Sequence, residues 1–62
     1  MIDLQDTLNK KVKLIDSDDN EVIAFSDLYE SEYDSGYGEP IIGLTNGKYY
    51  IQSEIKSIEI VE

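Results

Sequence analysis

Three groups of side chains in this 62-residue chain are of types that do chemistry or recognition. Asp27, Glu30, Glu32, Asp34 and Glu39 crowd one stretch. Two carboxyls held at a set separation across a cleft can act as general acid and base, as in glycoside hydrolysis. A chain this short has little room for such a cleft, and a solvated acidic edge accounts for the same residues. Asp16, Asp18 and Asn20 match the D-x-D-x-N opening of a calcium loop, with Asp27 at its twelfth position. The sixth position, which needs glycine for the sharp turn, is Glu21, and no helical pattern flanks the segment, so a polar hairpin turn is the expected reading. The third group is tyrosine: Tyr29, Tyr33, Tyr37, Tyr49 and Tyr50, beside a single Phe25. Tyrosine combines large rigid area with a polar tip and is favoured in binding surfaces.

Other chemistries are excluded by what the chain lacks. There is no cysteine or histidine, so thiolate and imidazole metal sites and Ser-His or Cys-His nucleophile pairs cannot form. No catalytic residue, cofactor or metal site is assigned, and a non-enzymatic protein is expected. Fourteen Asp and Glu stand against five Lys and no Arg, giving a net charge of −9. That charge repels nucleic-acid phosphates and anionic membranes, and the arginine forks that grip phosphate are missing. It keeps a small domain soluble, and it suits a basic protein partner. Apolar runs such as Val22-Ile23-Ala24-Phe25 are far too short to span a membrane, so the expected location is the cytoplasm.

The elements that must hold these residues are mostly strands. A single domain over residues 1–62 is expected, small enough that its core is marginal and self-association through strand edges would help it. Asp3 is a good N-cap, and Leu4 and Leu8 share a face, which predicts a short helix at about 2–9 and none elsewhere. Alternation predicts strands at about 11–15, with Val12 and Leu14 inward, and at about 21–29. The second strand carries Val22, Ala24, Ser26 and Leu28 on one face and Ile23, Phe25, Asp27 and Tyr29 on the other. Apolar residues on both faces predict that it bends from one part of a sheet into another. Residues 30–39 read as an exposed loop. Strands at about 40–45 and 48–52 flank Asn46-Gly47, the pair best suited to a type I′ hairpin turn. Gly43 is expected to permit a bend, Tyr49 and Tyr50 must face opposite ways, and a tight turn at 53–55 leads to a last strand at about 56–61.

A short N-terminal helix, five strands and a tight turn between the last two resemble the Sm-like (LSM) family of small SH3-like barrels, known as RNA-binding rings. The resemblance is best at Tyr50-Ile51-Gln52-Ser53-Glu54-Ile55-Lys56-Ser57-Ile58, which parallels the family's second signature with Gln52-Ser53 in place of its Arg-Gly. It implies a mainly β, five-stranded SH3-like or Sm-like barrel and RNA contacts at Gln52 and Ser53. The family's Asp, aromatic and Asn between the second and third strands have no counterpart here. Three functional readings follow: an acidic interaction module acting through protein contacts or self-assembly, an Sm-like RNA-binding ring protein, and an acidic decoy of a nucleic-acid-binding protein. For the first, the expected contact residues are Glu30, Glu32, Tyr33, Asp34, Tyr37 and Glu39.

Overall fold

The computed structural model describes residues 2–61, so the two end residues of the expected domain lie outside it. Five strands, β1 (Lys11–Asp16), β2 (Glu21–Glu30), β3 (Ile41–Leu44), β4 (Tyr49–Ile51) and β5 (Ile55–Ile60), form one antiparallel sheet in the order β4-β3-β2-β1-β5. The two edge strands follow each other in the chain, joined only by a 3-10 turn at Gln52–Glu54. The sheet therefore curls until both edges reach that turn, although β4 and β5 are not ladder partners.

The curl is made in β2. Its first half pairs with β1 (Lys11 to Phe25, Ile15 to Glu21) and its second with β3 (Leu28 to Gly43, Glu30 to Ile41). The register shifts between Ser26 and Leu28, leaving Asp27 as the extra residue of a bulge. The expected bend is present, but the bulge overturns the expected facing beyond it. Tyr29, not Leu28, packs with Val22 and Ala24 against the core, because one inserted residue flips every later side chain to the other side. Ile23 and Phe25 stay on the outer surface, 56% and 52% exposed.

The core is built by alternation. Val12, Leu14, Ile42, Leu44, Tyr50, Ile55 and Ile58 are buried, and Leu4 closes over them. Each such aliphatic side chain contributes about 1.5–3 kcal/mol on full burial. Tyr50 points inward, with its hydroxyl reached by Asn46 Nδ2 at 3.4 Å, and Tyr49 points out, as strand geometry requires.

Two local expectations are corrected. The helix at 2–9 is a single 3-10 turn, Leu4–Thr7, capped by the Asp3 carboxylate accepting the Gln5 N–H at 3.0 Å. Asn9, with φ of 66°, ends it before a second turn can form, and its N–H donates to the Ser26 carbonyl at 2.7 Å. The expectation of no helix beyond residue 9 also fails, narrowly: the tight link expected at 53–55 is the 3-10 turn at Gln52–Glu54. The hairpin at Asn46-Gly47 is where expected, but its turn is not type I′. Only Gly47 has positive φ, at 86°. Gly47 N–H donates to Leu44 C=O and Leu44 N–H to Lys48 C=O, both at 3.0 Å, the pattern of a three-residue loop with a bulge at glycine.

Among the described residues Thr7 and Ser26 are the buried polar ones, both fully enclosed. Thr7 Oγ1 donates to Leu4 C=O at 2.7 Å and lies 3.2 Å from Ser26 Oγ, with which it shares a second hydrogen bond. Ser26 N–H donates to Lys10 C=O at 2.9 Å, so the N-terminal segment is stitched to β2 at its bend. Thr7→Val should remove the side-chain bonds to both Leu4 C=O and the buried Ser26 hydroxyl and lower the unfolding free energy by about 2–3 kcal/mol, whereas Ser26→Ala, which keeps the Thr7–Leu4 bond, should cost about 1 kcal/mol. Urea unfolding of both variants checks this; equal losses would contradict the assigned donor.

Candidate recognition groove

The side chains with functional character fall into three places. The Asp16 carboxylate is occupied by its own turn: Oδ1 accepts the N–H groups of Asp18 and Asn20, both at 2.9 Å. The Asn20 N–H first, then that of Asp18, holds the Asp16 carboxyl below its ordinary value against an opposing effect of burial. Asp19, at φ of 67°, pairs with Lys56 of β5. A hairpin turn thus uses the residues that resembled a calcium loop, and among the described residues no cluster of three metal-ligating side chains forms.

The loop between β2 and β3 is ordered by its own serines. Ser31 C=O accepts the N–H groups of Asp34 and Ser35 at 3.1 and 2.9 Å. Ser35 Oγ donates to Glu39 C=O at 2.6 Å and accepts Tyr37 N–H at 3.1 Å. Glu39 is a structural tie: its Oε1 accepts the Ser53 N–H at 2.9 Å, while Pro40 C=O accepts the Gln52 N–H at 3.0 Å. These two bonds fasten the loop to the 3-10 turn between the sheet's edges. They also set a carboxylate against Gln52 and Ser53, the two positions that resemblance assigns to RNA.

Between the fastened loop and β4 lies a groove of about 450 Å³. Leu28, Ile41 and Ile51 give it an apolar lining, Tyr37 enters from the loop and Tyr49 from β4, and Glu30 and Glu54 are its charged groups. Gly43 makes the Tyr49 position attainable. A Cβ there would sit 2.9 Å from Tyr49 Cε1 and 3.1 Å from Leu28 Cβ, so the tyrosine ring rests on bare backbone of the paired strand. Gly43 has no positive φ, and what it supplies is this space.

Of the six expected contact residues, the structure brings Glu30 and Tyr37 together in the groove. Glu39 is spent on Ser53, and Asp34 Oδ2 accepts the Ser31 hydroxyl at 3.3 Å. Tyr33 projects from the loop at 88% exposure. Glu32 lies towards Tyr29 and Asp3: burial raises the Tyr29 phenol above its ordinary value, and the charges of Asp3 and Glu32 raise it further. Tyr49, Glu54, Leu28, Ile41 and Ile51 were missed as a site. The outward-facing member of the Tyr49-Tyr50 pair was the one signal that could have found it.

Among the described residues no helix is long and apolar enough to cross a membrane. Compared with protein-family models, curated proteins and solved structures, the chain matches none.

Two outcomes are expected. Gly43→Ala should displace the Tyr49 ring, shifting the Leu28 methyl resonances, at a cost of about 1 kcal/mol because Tyr49 is exposed enough to swing aside; unchanged Leu28 shifts would contradict the ring position. For Asp16, a depressed folded pKa means stability present above the ordinary carboxylate value and lost as pH falls through the folded one. Wild type should therefore melt above Asp16→Asn near neutral pH, and the gap should close as the pH drops below about 4. A gap independent of pH would contradict the assigned role of the carboxylate.

Proposed function

We propose that this chain is a non-enzymatic interaction module that docks a protein partner in the groove between the 30–40 loop and β4. The observation that carries it is the composition of the groove: two exposed tyrosine rings over an aliphatic lining, held in place by the Glu39–Ser53 and Gly43–Tyr49 contacts. Preformed apolar pockets with a few polar groups are the usual sites of recognition, and rigid tyrosines lose little entropy on binding. The order of the five strands and the short turn between the last two also support reading the curled sheet as an Sm-like small barrel. The RNA function of that family is the weaker reading, because Glu39 and Glu54 crowd the turn that carries Gln52 and Ser53. The unpaired edge of β5 supports self-assembly as a second mode, opposed at low salt by the net charge of −9.

Solvated carboxylates would set the association rate with a basic partner, and the tyrosine rings its dissociation rate. The test is affinity capture from the native cell with wild type, Tyr37→Ala/Tyr49→Ala and Tyr33→Ala, each checked by a melting curve. Proteins held by wild type and Tyr33→Ala should be lost by the groove variant at nearly unchanged melting temperature. A captured set unaffected by the groove variant would overturn the proposal.

A further inference from the structure

Resting on that docking reading, we infer that the groove's occupant is an arginine side chain of the partner segment. Every ionisable group of fixed charge in the lining is a carboxylate, Glu30 or Glu54, and none of Lys10, Lys11, Lys13, Lys48 and Lys56 reaches it. Glu54 is only loosely engaged, its Oε1 standing 3.5 Å from the Ile51 N–H. Among the described residues the Glu30 carboxylate enters no ion pair. Among the described residues the groove has carboxylates and no counter-charge, so its complement is a cation.

The rest of the lining says which cation. Tyr37 and Tyr49 line the groove with exposed aromatic rings, and the π face of such a ring attracts a cation and lets a planar one stack. Leu28, Ile41 and Ile51 suit the methylene stem of a long side chain whose head remains with the carboxylates. A guanidinium is planar, weakly hydrated and forked, and it matches both aromatic faces and carboxylate oxygens; an ammonium is a strongly hydrated point charge that loses more on leaving water. A volume of about 450 Å³ lies within the range of about 300–1,000 Å³ of sites that enclose small organic groups.

The test is an amide NMR titration of the whole chain with blocked pentapeptides of glycine, valine, arginine, valine and glycine, in which the central residue is arginine, its neutral isostere citrulline, or lysine. The arginine peptide should move the amides of Tyr37, Tyr49, Ile51 and Glu54 most, and bind about tenfold or more tightly than the citrulline peptide. It should also bind more tightly than the lysine peptide. Glu30→Gln/Glu54→Gln should abolish the difference between arginine and citrulline, while Glu32→Gln/Asp34→Asn should keep it. Both double variants change surface groups, and their amide spectra verify folding. Equal binding of arginine and citrulline peptides at the groove would overturn the inference and leave the docking reading intact. Equal binding of arginine and lysine, perturbations scattered over the acidic surface, or no perturbation at the groove would each overturn it as well. Failure of the docking reading itself is seen separately, in the capture set of the Tyr37→Ala/Tyr49→Ala variant.

Discussion

The structure depends on one strand having two sets of partners. β2 is ten residues long, and no flat sheet of this size could enclose a core. By giving residues 21–25 to β1 and 26–30 to β3, the chain folds its sheet over itself, with Ser26 at the crease. The crease is costly ground: an extra residue interrupts the ladder, and freed polar groups face the interior. The N-terminal segment supplies partners for them. Asn9 and Lys10 bond the Ser26 backbone, Thr7 meets its hydroxyl, and no buried side-chain polar atom of the described residues lacks a partner. The short N-terminal turn is thus less a helix laid across an opening than a clip over the bend.

The same crease creates the groove. Past Asp27 the alternation of β2 is reversed, so Tyr29 joins the core while Leu28 turns towards β4. There it meets Tyr49, whose ring lies where Gly43 leaves space. The loop must then be held near that face, and Glu39 does this through the Ser53 N–H. One carboxylate of the acidic segment is thereby structural, and another, Glu30, lines the groove and enters no ion pair among the described residues. Charge in this chain is not uniform solvation; its position along the loop decides its use.

Much of the architecture was legible from alternation. Val12 and Leu14 read correctly because β1 is regular, and apolar residues on both faces of β2 announced its bend. The reversal after Ser26 was not legible, since a bulge is invisible to a period-two pattern until the register is known. Asn46-Gly47 marked the hairpin but not its turn type, because Asn46 serves better by accepting the Lys48 N–H at 2.9 Å and reaching Tyr50. The helix was over-read because Leu4 and Leu8 share a face in an α-helix, whereas Asn9 stops the chain after one tight turn. Thr7 and Ser26 look like ordinary surface hydroxyls until the fold brings them together. The loop half of the groove was readable from its tyrosines and acids; the sheet half, with Leu28, Ile41 and Ile51, needed the reversed register.

The central claim is that the bulge at Asp27 carries Leu28 out of the core and under Tyr49. A proton NOE map of the free protein tests it most directly. The account predicts strong cross-peaks from the Leu28 methyls to the Tyr49 ring and from the Tyr29 ring to core methyls such as those of Ile42, its cross-strand partner. Leu28 cross-peaks to Leu14 and Val12, with Tyr29 on the outside, would describe an uninterrupted strand and contradict both the crease and the groove.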